Sequence, residues 1–200
     1  MNRKIGMIGS IINVITVLMF AVCMIFRFNF GSYLSCIFLA LSFIMMVASF
    51  KNECTKDNNV AGIVAVILAS IYATLIIIVY FTQITTVVND NLGSEALKIL
   101  DYRYLSLAFN LDLLGYAIMA LSTFFIGLTI NNKKDKVLKY LLLIHGIFFI
   151  SCFIMPITGL MKSDGGTSIG GIIALEIWCL YFLPIGILSY IHFKRNQDMN

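Results

Sequence analysis

The sequence predicts an all-α fold, a polytopic bundle of six transmembrane helices with the N-terminus and C-terminus both cytoplasmic. Three observations lead there. Hydrophobic residues make up 60% of the chain and charged residues only 12%, with a mean hydropathy of +0.94, far from soluble usage, where about 25% of residues are charged. The charges collect between long apolar runs, each with roughly the 20 residues a helix needs to cross about 30 Å of hydrocarbon. None of the runs alternates with period two, which excludes a closed barrel, the other structure that satisfies its backbone inside lipid.

The first run, 5–26, follows Arg3 and Lys4. It is longer than the 7 to 15 apolar residues of a signal peptide and has no small-residue cleavage pattern, so it reads as a retained span. The second and third runs are 31–50 and 60–82. Along the third, Ala61, Ala65, Ala69 and Ala73 recur every fourth residue. Their spacing lines one helix face with small side chains, and in lipid such a face is where helices pack closely.

The connection 83–104 is the longest. It holds a turn-rich stretch around Asn89, Asn91 and Gly93, with Ser94 as a candidate cap for a short interfacial helix over Glu95 to Leu100. The remaining runs are 105–130, 140–161 and 168–193. Pro156 and Pro184 interrupt the hydrogen-bond ladder of the fifth and sixth and predict kinks there. Tyr80, Tyr104, Tyr140 and Tyr190 stand at run ends, as an aromatic belt at the two interfaces does.

Orientation follows from Lys and Arg. Arg3, Lys4, Lys51, Lys56, Lys133, Lys134, Lys136, Lys139, Lys194 and Arg195 fall on one side, against Arg27, Lys98, Arg103 and Lys162 on the other. Positive loops stay inside, so both termini are expected in the cytoplasm of a cell-membrane protein. The net charge of +4 therefore reports topology and not a nucleic-acid surface.

Chemical motifs are scarce. Gly166-Thr167-Ser168-Ile169-Gly170 matches a hydrolase nucleophile elbow in letters, but an elbow needs a strand before it. Gly166 and Gly170 read better as helix-packing positions. The five cysteines contain no CxxC pair and mostly lie within apolar runs, where a thiol acts as a small hydrophobe. No metal or cofactor set emerges, and the absence of nucleophile and base sets argues against an enzyme.

What remains are ionisable side chains in hydrocarbon, each costing about 2.5 to 3.5 kcal/mol at the centre by insertion scales. Asp112 and Glu176 both fall roughly 10 to 12 Å below the outer edge of their spans. Tyr116 shares a face with Asp112, and Gly115 is expected to leave space beside them. Two acids at one depth suit proton coupling or cation binding. His145, entering from the opposite side, reads as a hydrogen-bonded packing residue.

The functional expectation is thus binding or transport of a small molecule or cation through an outward-facing pocket containing Asp112, Glu176 and Tyr116. The alternative is a structural or regulatory subunit without a ligand of its own. The lipid bilayer is the expected partner in either case, and a chain of this size suits a lone bundle, a homo-oligomer or one component of a larger complex.

Overall fold

The computed structural model describes residues 1–89, 91–131, 133–159 and 169–198. Among the described residues the chain is helical and has no strand. The order is α1 (Asn2–Ile25), α2 (Asn29–Asn52), α3 (Asn59–Ile84), α4 (Thr86–Asn89), α5 (Ser94–Leu100), a 3-10 turn at Tyr102–Tyr104, α6 (Leu107–Thr129), a second 3-10 turn at Lys133–Asp135, α7 (Lys136–His145), α8 (Phe148–Thr158) and α9 (Ile169–Asp198). Six stretches are long and apolar enough to cross a membrane, with α7 and α8 together forming the fifth. That is compatible with a multi-pass membrane protein.

Helices adjacent in sequence pack side by side. α1 lies on α2 and α9, α2 on α3, α3 on α6, and α6 on α7 and α8. The approach of α1 to α2 is close. A side chain at Gly9 would come within 3.0 Å of the Ser42 carbonyl oxygen and 3.1 Å of the Met46 nitrogen, so only hydrogen fits there. Large side chains fill the centre, among them Phe43, Tyr72, Ile76, Met119, Phe182 and Ile185, all fully buried. Ala65, Ala69 and Ala73 are buried on α3, while Ala61 is half-buried, and the Ser122 hydroxyl of α6 donates to the Ala65 carbonyl at 2.8 Å.

Buried hydroxyls solve their desolvation problem locally. Ser10 donates to Gly6 O, Ser35 to Gly31 O, Ser42 to Leu39 O and Thr16 to Ile12 O, the back-bonding open to Ser and Thr in helices. Asn13 is different. It is fully buried on α1, and neither its Nδ2 nor its Oδ1 has a partner.

Several expectations change. The fifth span is divided at Gly146–Ile147, a position the sequence does not mark, and Pro156 lies inside α8. Around it the amides of Gly146, Ile147, Phe149 and Ile150 bond three residues back rather than four, which tightens the backbone into a turn. A side chain at Gly146 would stand 2.9 Å from Phe124 Cβ, so α6 presses closely at this point. Ser94 is the first residue of α5 and makes no capping bond; Gly93 holds the cap position. Tyr80 is buried in the protein interior and is no interfacial anchor, whereas Tyr104 and Tyr140 are exposed. Lys162, Gly166 and Ser168 lie outside the described residues, and Gly170 is exposed on α9.

Candidate functional site

The site begins with a loop pinned to a helix. Gln83, buried in the last turn of α3, donates from Nε2 to the Leu100 carbonyl at 2.8 Å and accepts the Tyr102 amide on Oε1 at 3.0 Å. One side-chain amide thus satisfies two backbone groups of the connection. Next to it Asp101 caps the 3-10 turn by accepting the Arg103 amide at 2.9 Å, and its carboxylate binds the Arg103 guanidinium. Burial alone would raise the Asp101 carboxyl, but the hydrogen bonds and charge of Arg103 outweigh it and hold the group below the usual carboxylate range.

These contacts fix Tyr102, whose hydroxyl donates to Asp112 Oδ2 at 3.3 Å. Burial pushes this hydroxyl well above its ordinary range of titration, so it keeps its proton and remains a donor. Asp112 is buried on α6, at 3% exposure, because Ser106 caps that helix by accepting the Phe109 amide and sets the register of its first turns. Its other oxygen, Oδ1, is buried and makes no hydrogen bond within 3.5 Å, although the Tyr80 hydroxyl of α3 stands beside the same carboxylate.

Around this carboxylate the sequence places aromatic rings from five parts of the chain. Tyr33 and Tyr80 stack near Tyr102, with ring centroids 5.4 Å apart from each other and 6.1 Å from Tyr102. Tyr102 meets Phe109 at 5.1 Å. One turn below Asp112, Tyr116 packs edge-on against Trp178 at 5.3 Å, and its hydroxyl lies 3.6 Å from Cys36 Sγ. Trp178 is itself held, donating its indole N–H to His145 Nε2 at 3.1 Å.

A cavity of about 170 Å³ opens beside Asp112 between α6, α8 and α9. That is more than ten times the roughly 10 to 15 Å³ that admits one water. Its wall is mostly apolar, formed by Phe109, Leu113, Tyr116, Phe148, Met155, Leu175 and Trp178, with Tyr102, Asp112 and Ser151 supplying polar groups. A single carboxylate in a greasy, aromatic enclosure can hold a proton, or it can pair with a cation whose remaining surface suits aromatic faces.

Asp112 and Tyr116 therefore line one cavity. Glu176 does not line it. It is half-buried on α9, near Cys179, with Oε1 buried and unpartnered. Gly115 supplies no space to this cavity either, because it faces α3, where an added side chain would meet Ile76 Cδ1 at 3.0 Å.

His145 is fully buried at the end of α7. α7 begins at Lys136, placing His145 about 14 Å along the helix. It is bonded on both nitrogens, to Thr123 Oγ1 at 2.7 Å and to Trp178. Indole N–H can only donate, so Nε2 accepts and the ring proton sits on Nδ1 facing Thr123, whose own hydroxyl donates to Ala120 O. His145 is thus the backing of the cavity's tryptophan wall.

Sequence reasoning passes over Tyr33, Tyr80, Tyr102, Gln83 and Trp178, since each contributes through a partner distant in the chain. The spacing of Tyr72, Ile76 and Tyr80 by four is the one available signal, for it places both tyrosines on a single face of α3. Among the described residues no group of three or more His, Cys, Asp or Glu is placed to hold a metal ion. Comparison with known proteins finds no family model, no curated protein and no solved structure that matches the chain.

Proposed function

We propose that the chain is a membrane-resident binding protein or carrier for a small organic cation, held in the α6–α8–α9 cavity with Asp112 as counter-charge. The orientation that goes with this reading puts the lysine-rich end, with both termini, in the cytoplasm and the cavity towards the outside. The observation that carries it is the unpartnered Oδ1 of a buried carboxylate beside an apolar, ring-lined space. A buried charge without a partner is costly, and an unpartnered acid in hydrocarbon marks a functional site by default. Tyr116, Tyr102 and Trp178 offer ring faces for the cationic head, while Leu113, Met155 and Leu175 suit an apolar body. Glu176 is a second acid in this reading, next in sequence to the cavity residue Leu175, and serves as a site separate from Asp112.

Trp178 is the single tryptophan and stands in the cavity wall, so binding is readable directly. Phenethylammonium is expected to change its fluorescence saturably in the detergent-solubilised protein and to raise the melting temperature. At 100 times Kd a ligand stabilises by about 2.7 kcal/mol. Asp112→Asn should abolish both effects with the protein still folded, Glu176→Gln should leave them, and phenethyl alcohol should produce neither. Equal responses from Asp112→Asn and the parent protein, or from the amine and the alcohol, would overturn the reading.

A further inference from the structure

At the opposite end of the bundle from Asp112 lies a chain of alternating charges. Arg3 of α1 donates from Nε to Glu53 Oε1 at 2.8 Å. Glu53, which follows the last residue of α2, turns its Oε2 to His192 Nε2 at 2.9 Å. His192 Nδ1 lies 2.9 Å from Asp135 Oδ2, in the turn before α7. The other oxygen of Asp135 takes the Arg195 guanidinium, one turn beyond His192 on α9. His192 itself is 6% exposed and is flanked by the rings of Phe50 and Phe193 at 5.1 and 5.2 Å.

The protonation state follows from the geometry. Ionised carboxylates only accept hydrogen bonds, and each of these two is also paired with an arginine, Glu53 with Arg3 and Asp135 with Arg195. Both ring nitrogens face a carboxylate, so both must donate, and the ring is an imidazolium. It is the central link joining the end of α2 to the turn before α7 through α9. Remove its proton, and one nitrogen presents a lone pair to a carboxylate oxygen; that contact turns from attraction to repulsion and one arm must let go.

Beside the link lies a second cavity, about 180 Å³, lined by the polar residues Glu53, Thr55, Asn58, Thr129, Asn131 and His192 together with Phe50 and Ile130. Unlike the Asp112 cavity it has a wall that is about half polar. Asn58 closes part of it by donating to the Thr129 carbonyl at 2.9 Å, joining the start of α3 to the end of α6.

We propose that His192 is a proton-sensing site that controls this cavity: charged, it ties Glu53 of the cavity wall to Asp135 of the turn before α7, and neutral, it lets one of them go, so that the wall at Glu53 loosens and the cavity opens while Arg195 stays on Asp135. Among the described residues, the charged groups at His192 include Glu53 and Asp135, facing it directly, with Arg3 and Arg195 behind them. Imidazole is the side chain whose unperturbed titration falls nearest neutrality, so the device answers to proton concentration within the range a cell experiences.

Cys54 is a built-in reporter. It adjoins Glu53, is half-buried, and points its Sγ at the Phe50 carbonyl. The experiment is alkylation of Cys54 by N-ethylmaleimide in the solubilised full chain from pH 5.5 to 9, read by peptide mass spectrometry and normalised to free glutathione at each pH. The normalised rate is expected to rise on the order of tenfold across the transition, as a local opening would produce, and to stay flat in His192→Gln, whose amide cannot change charge. Identical profiles for the parent and His192→Gln overturn the proposal. Should that variant not fold, nitrogen-15 NMR of histidine-labelled parent protein decides: one ring with both nitrogens protonated at pH 6 that loses a proton together with the rise in Cys54 labelling supports it, and a ring singly protonated throughout refutes it.

Discussion

The indole N–H of Trp178 donates to Nε2 of His145, 33 positions away in sequence, at 3.1 Å. Through this bond the break in the fifth span and the wall of the cavity become one structural unit, since His145 is the last residue of α7 and the helix stops immediately after it. Thr123 on α6 completes the arrangement by bonding the other ring nitrogen.

His145→Leu removes the acceptor and leaves a buried indole N–H without a partner. Stranding a buried donor costs about 1 to 3 kcal/mol. The expected outcome is a lower melting temperature together with a shift of the Trp178 emission maximum to shorter wavelength, measured on the same sample. An unmoved emission maximum in the variant would show that the bond is not formed.

Asp101 gives a pH dependence whose sign is fixed. Its folded-state value lies below the ordinary one because Arg103 stabilises the charged form, so its contribution to stability is full above the unfolded value of about 3.9 and fades as pH falls from there through the folded value. The difference in melting temperature between the parent and Asp101→Asn should accordingly be positive at pH 6 and shrink below about pH 4. A difference that stays constant down to pH 2.5 would contradict the assignment. The half-exposed Arg103 keeps the effect modest, because solvent screens such pairs.

Asn13 offers the opposite case. Both atoms of its amide are buried and unpaired on α1, and the Ser189 hydroxyl of α9, also fully buried, is unpaired as well. Replacing an unsatisfied polar group by an apolar one of similar size is neutral or stabilising. Asn13→Leu should therefore hold or raise the melting temperature. A loss above about 2 kcal/mol would reveal a bonded partner for the amide, such as an internal water.

The sequence makes the helical architecture plain because long apolar runs bounded by charges have few physical solutions. It leaves the site half legible for a different reason. Asp112 is conspicuous as an acid in hydrocarbon, and Tyr116 follows from helical spacing, but the bond from Tyr102 to Asp112 depends on Gln83 holding the connection down, and no periodicity records that. Tyr80 at the end of a run is written the same way whether it faces headgroups or the interior. His192 is hidden by its neighbours: two residues before Lys194, it reads as part of the basic border, and only folding brings Glu53 and Asp135 to its two nitrogens. Glu176 shows the converse, an acid expected at the depth of Asp112 that is not among the residues lining the cavity.

α8 packs on α6 and buries none of its own residues, and the turn at Gly146–Ile147 uncouples it from α7. Neighbouring protein consequently encloses the fifth span less than any other candidate span. In a bilayer thinner or thicker than its apolar length, α8 is the segment expected to tilt first, at the modest cost such mismatch carries, and because it forms one side of the Asp112 cavity, the width of that cavity is expected to follow the thickness of the host membrane.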